Sequence, residues 1–283
     1  MLTIAKILLP VDFSSPSTDA ADSAAALAGH FGSEIALLHV LAPRFDLALG
    51  TSTENARADA ERNLNQFRSG EWQHLRVQRV LLEGDPARKI VEYAHSEHVD
   101  LIMMPTHGYG PFRRLLLGSI TAKVLHDANC PVWTAVHAPD AASSTHSAQL
   151  RRVACAVDLG PQTNGVLRWA SRLSREFGAP LSVIHAVASL DPRLQDYYLS
   201  PEWRGHVIGE ARAGLERAIE SAEASGEIHI AIGSIAGAIA DAARELQADL
   251  LVIGRSSLDG MTGRLPTNAY AIIRESPCPV LSI

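Results

Sequence analysis

EGDPARKIVEYAHSEHVDLIMMPTHG, residues 83–108, carries a helix, a strand and the start of a loop in one run. Asp85 before Pro86 reads as a helix start: a carboxylate accepts the unpaired first amides, and proline lacks only a donor that the first turn would not use. DLIMMP then reads as a strand without polar alternation, the pattern of a strand buried on both faces of a parallel sheet. The same run recurs at 232–257 as IGSIAGAIADAARELQADLLVIGRSS, with Asp249 where Asp100 stands.

The repeat extends in both directions. ILLPVDFS (7–14) matches VACAVDLG (153–160), and ALAGHFGSEIALLHV (26–40) matches RLSREFGAPLSVIHA (172–186). Asp12, Gly32 and His39 therefore answer to Asp158, Gly178 and His185. DANCPVWTAV (127–136) matches ESPCPVLSI (275–283), which pairs Cys130 with Cys278. An internal duplication of this length predicts two homologous domains, residues 1–138 and 149–283. HAPDAASSTHSAQL (137–150) between them has linker composition. Within each half, short apolar runs alternate with helix-length amphipathic segments. This predicts an α/β fold in which each domain is a five-stranded parallel sheet with helices on both faces.

Hydrophobic residues make up 47% of the 283-residue chain and charged ones 20%, which fits packed domains rather than disorder. No apolar run reaches the length of a membrane span. MLTIAKILLPVDFS lacks a charged leader and a small-residue cleavage site, so it reads as a first strand, and a cytoplasmic protein is expected. Three cysteines without a C-x-x-C pair argue against a disulfide framework or a thiolate zinc site. The net charge of −6 divides evenly, with 12 basic and 16 acidic side chains in residues 1–145 and 13 and 15 in the rest. Neither half has the basic excess on which sequence-independent nucleic-acid binding rests. No membrane-surface patch is evident either.

PTHGYGPFRRLLLGS (105–119) follows the fourth strand. A sheet order of 3-2-1-4-5 puts the switch point, where ligands of open α/β sheets sit, between strands one and four. Asp12 ends strand one, so Asp12 and this loop meet at one crevice. The helix beginning near Ser119 would aim its free amides and positive dipole end at a phosphate. Gly108 and Gly118 permit close backbone approach, and Ser119 offers a hydroxyl and a helix cap.

PVDFS, LLHV, the T-H-G…G-S loop and the closing CPV strand together resemble the universal stress protein family, in its tandem-domain form, over nearly the whole chain. The resemblance implies Rossmann-like domains of the adenine nucleotide alpha hydrolase type. It also implies an adenine nucleotide, ATP, as ligand, with Mg²⁺ admitted beside it. The family's G-x2-G-x9-G-[ST] loop maps onto Gly108 and Gly118-Ser119 with the nine intervening residues intact, but its first glycine is Pro105 here. Proline fixes φ and lacks an N–H. By matching positions, Pro10, Val11 and Asp12 would border the base, Val40 would pack on it, and Met104 would lie near the ribose. Pro105, His107, Gly108, Gly118, Ser119, Ile120 and Thr121 complete the implied site. In the second half Ser257 stands where Gly108 does and Pro266-Thr267 where Gly118-Ser119 do, so that half is expected to keep the fold and lack the phosphate loop.

Plainer readings stand beside these. Asp12 has a capping role open to it, in competition with Ser14 and Ser15. His39 and His185 read as satisfied, partly buried imidazoles, Arg113 and Arg114 as a solvated pair, and Cys130 and Cys278 as small buried hydrophobes. Three functions are open: a nucleotide-binding module in stress response or signalling, a slow ATP hydrolase or phosphotransferase, and a nucleotide-free scaffold. A binding or regulatory role leads, since the loop lacks a P-loop lysine. Antiparallel pairing of the fifth strands, PVWTAV and PVLSI, would form an intrachain pseudo-dimer, with homodimerisation of the whole chain a further expectation.

Overall fold

The computed structural model of the chain describes residues 2–42, 53–107, 117–136, 150–188, 201–255 and 267–283. From Thr3 onward they divide into two compact units, within Thr3–His137 and Gln149–Ile283. The first unit runs β1 (Lys6–Pro10), α1 (Ser15–Phe31), β2 (Glu34–Leu41), α2 (Thr53–Gln66), β3 (Arg76–Glu83), α3 (Pro86–Ser96), β4 (Leu101–Met104), α4 (Ser119–Asp127) and β5 (Val132–Thr134). The second runs β6 (Val153–Ala156), α5 (Thr163–Phe177), β7 (Leu181–Ala188), α6 (Pro201–Ser221), β8 (Glu227–Gly233), α7 (Ile235–Glu245), β9 (Leu250–Ile253), α8 (Thr267–Glu275) and β10 (Val280–Ser282).

The strands within each unit are parallel. Their orders are β3-β2-β1-β4-β5 and β8-β7-β6-β9-β10, the expected 3-2-1-4-5 twice. β1 pairs with β2 from Lys6 opposite Glu34 to Pro10 opposite Leu38, and with β4 through Ile7 and Leu8 opposite Leu101 and Ile102. With this order, the general right-handedness of parallel crossovers assigns α1 and α2 to one face and α3 and α4 to the other. Consecutive residues of the central strands, Ile7 to Leu9 and Ile35 to Leu38, are accordingly fully buried.

Local chemistry fixes the joints between elements. Asp85 caps α3 by accepting from the Arg88 amide at 2.8 Å. That bond, with help from Lys123, holds its carboxyl below the ordinary range. Gly32 closes α1 at φ 66° and Gly178 closes α5 at φ 62°, left-handed conformations that glycine adopts without penalty. The Asp100 carboxylate accepts from the amides of Ala5 (2.8 Å) and Lys6 (2.9 Å), pinning the start of β4 to that of β1. Asp249 does the same for Arg151 (2.7 Å) and Arg152 (2.9 Å). Left-handed non-glycine residues recur at matched places too: Phe13 and Leu159 (φ 63° and 61°) after the strand-end aspartates, and His98 and Gln247 (both φ 51°) after α3 and α7.

The cysteines divide. Cys155 and Cys278 are buried thiols, whereas Cys130 is only half-buried, which corrects its reading as a buried hydrophobe.

Candidate functional site

The turn after β1 is organised by the Asp12 carboxylate. Its Oδ1 accepts from the Ser14 amide at 3.0 Å and from the hydroxyls of Ser14 and Ser17 at 2.5 and 2.6 Å. The Asp12 amide in turn donates to Ser17 Oγ at 3.2 Å. Ser14 is the N-cap of α1, so the capping role goes to the serine, and Asp12 fixes the turn that presents it. His39 on β2 donates from Nδ1 to the Val11 carbonyl at 2.7 Å, and His185 does so to Val157 at 2.8 Å. A carbonyl can only accept, so Nδ1 carries a hydrogen in both rings.

Across the switch point, the Gly118 amide donates to the Thr106 carbonyl at 2.8 Å, and the Thr121 hydroxyl donates to the Pro105 carbonyl at 3.0 Å. These two bonds draw the first turn of α4 against the end of β4. A Cβ on Gly118 would lie 3.2 Å from Thr106 O and 3.3 Å from His107 Cα, backbone atoms with little freedom to retreat. The approach is therefore one that glycine alone makes easily. Gly118 is itself the N-cap of α4, with no side-chain bond, and Ser119 is the first helical residue; the expected serine cap is corrected on this point. The chain enters the helix through the backbone bond to Thr106, and no side chain caps its first amides. Pro105, the position without a donor, serves through its carbonyl.

Pro10, Val11, Asp12, Val40, Met104, Pro105, His107, Ile120 and Thr121 line one crevice at the carboxyl ends of β1, β2 and β4. Gly118 and Ser119 stand at the start of α4 beside it. Gly108, Arg113 and Arg114 lie outside the described residues. Sequence reasoning missed Ser17, Pro86 and Ile90 on the crevice wall. The Ser17–Asp12 contact had a trace in the repeat, where Thr163 answers to Ser17. Pro86 and Ile90 had none, because the packing of α3 over the crevice is a tertiary fact.

The described walls enclose about 130 Å³. A pocket for a drug-sized ligand runs to about 300 Å³ or more, so this is a slot for one ring system. No acidic residue occupies the first turn of α4, whose amides lie where a helix leaves them unpaired, an arrangement that suits an anion. Asp12 is the one carboxylate among the described lining residues, and its Oδ1 is committed to the serines. That donor set does not build a cage for Mg²⁺.

The model of the universal stress protein family matches residues 3–135 and again 149–283. A universal stress protein of Methanocaldococcus jannaschii is 33% identical over 135 residues, 45% of this chain and 79% of its own length. One from Mycolicibacterium smegmatis is 26% identical over 284 residues, 95% of this chain and 93% of the other. The crystal structure of a universal stress protein from Archaeoglobus fulgidus superposes with a TM-score of 0.65 at 24% identity, covering 98% of this chain and 95% of that one. Two family matches in tandem account for nearly every residue of both units, and the chain belongs to the universal stress protein family.

Proposed function

We propose that the first unit binds an adenine nucleotide, ATP foremost, and that the protein acts in the cytoplasm as a nucleotide-responsive module of stress response or signalling. The observation that carries this reading is the close approach at Gly118. A helix start held against β4, bare of side chain, stands beside a ring-sized slot bordered by Val11, Asp12, Val40 and Met104. The base would occupy the slot, and the phosphates would lie over Ser119, Ile120 and Thr121, where helix amides and dipole favour negative charge. Among the described residues, no helix is long and apolar enough to cross a membrane.

The described residues fit the nucleotide and include no built metal cage or catalytic pair, so binding rather than turnover is the role they support. Calorimetry on the full chain tests it. One ATP per chain is expected, abolished by Gly118→Trp and retained in Asn268→Trp, a change on α8 of the second unit. Absence of binding would give the case to the nucleotide-free scaffold, and two equivalent sites would refute the assignment to the first unit.

A further inference from the structure

The second unit has a crevice at the same place in its sheet, and its chemistry is different. Its described walls enclose about 990 Å³. Smaller side chains contribute part of the difference. Where the first unit has Pro10, Val40, Pro105 and Thr121, the second has Ala156, Ala186, Gly254 and Ala269. The walls are mainly apolar, with Val157, Leu159, Val166, Ile235, Ile239 and Ile272 contributing.

The polar groups have changed as well. Gly160 stands at the position of Ser14, which removes a hydroxyl donor to the strand-end aspartate. Asp158 Oδ1 accepts from the Gly160 amide at 2.8 Å, and the carboxylate is exposed to the crevice rather than held by serines. Thr163, at the position of Ser17, is 5% exposed and lines the cavity, and its hydroxyl has no partner. A buried hydroxyl left alone is uncommon and costly. Glu210 on α6 adds a second carboxylate to the wall, with His206 3.4 Å from it. No lysine or arginine is among the described lining residues, and the Nδ1 of His185 is spent on Val157.

We propose that this second crevice is a binding site for an organic cation, a hydrophobic amine whose apolar body fills the cavity and whose ammonium meets Asp158. Charge-assisted hydrogen bonds to a carboxylate are the strong ones, and the apolar walls gain from covering the ligand's body. An anion of the same shape meets Asp158 and Glu210 with no lysine or arginine among the described lining residues to offset them. The two units thus divide their ligands by charge.

Two fluorescent probes with one body and opposite charge test this on the full chain: monodansylcadaverine, an amine, and dansyl aminohexanoate, a carboxylate. The amine is expected to bind saturably at one site and about tenfold or more tighter than the carboxylate, the scale of one charged hydrogen bond. Asp158→Asn, which keeps the acceptor for Gly160, should remove most of that advantage, and Glu210→Gln part of it. Asn268→Trp should block the cavity. Gly118→Trp should leave amine binding intact, so the result stands apart from the nucleotide reading of the first unit. Equal affinity for both probes, no saturable binding, indifference to Asp158→Asn and Glu210→Gln alike, or displacement of the amine by ATP in the Gly118→Trp chain would overturn the proposal.

Discussion

His39 donates its Nδ1 hydrogen to the carbonyl of Val11 at 2.7 Å, tying β2 to the residue that follows β1. The Phe13 ring lies 4.5 Å from the imidazole, so the left-handed residue after Asp12 rests on the same side chain. Removing the ring would leave a partly buried carbonyl without its partner. His39→Ala should cost about 1–3 kcal/mol in urea denaturation and weaken ATP binding, because the turn carrying Asp12 loses its brace. An unchanged denaturation midpoint would show that water replaces the imidazole without loss.

Gly118→Ala is a finer probe of the first site than tryptophan. Its Cβ would sit 3.2 and 3.3 Å from backbone atoms of Thr106 and His107, so the start of α4 must move by a few tenths of an ångström. A stability loss of about 1 kcal/mol is expected, the lower range for overpacking, with a larger proportional loss of ATP affinity. If affinity and stability were both unaffected, the close approach would have no bearing on binding.

His98 is exposed and holds φ 51° just after α3. Left-handed backbone costs an ordinary residue about 1–2 kcal/mol, part of which glycine returns as extra freedom in the unfolded chain. His98→Gly should therefore raise stability by about 0.5 kcal/mol, seen as a higher melting temperature. A lower melting temperature would mean that the side chain makes a contact worth more than the strain.

Burial pushes the thiols of Cys155 and Cys278 up from 9.0 to about 12. The unfolded chain gives up these protons first, so the stability they contribute is whole below pH 9 and is lost between pH 9 and about 12. Denaturation midpoints should fall across that window in the unsubstituted chain, and less steeply in Cys155→Ala. Alkylation of the native protein at neutral pH should reach Cys130 first, since the other two are buried. Fast labelling of Cys155 would contradict the packing of β6.

Much of this molecule can be read from its sequence because it is written twice. Matching Asp100 with Asp249 and Gly32 with Gly178 fixes strand and helix positions in both units, and the unbroken apolar runs give a parallel sheet. The cap of α4 could not be read the same way. Gly118 starts the helix through a backbone bond to Thr106, which leaves no side-chain signal, while Ser119 has the composition of a cap without the position. The size of the second crevice was hidden for another reason. The loss of loop glycines after β9 reads as decay, whereas part of the enlargement comes from four small residues scattered over β6, β7, the end of β9 and α8. Only the folded sheet brings them to one wall.

The Asp100 carboxylate joins residues 94 apart in sequence, and Asp249 joins residues 97 apart. Neither crevice exists until such a long loop has closed, because its two walls belong to the first and fourth strands of a unit. Contacts of this span are slow to form. A chain emerging from the ribosome would thus complete the first pocket only after α4 had been made, with half of its length still to come. Ligand capture by the first unit would then report that this half had finished folding, and a nascent chain stalled before residue 100 should bind nothing.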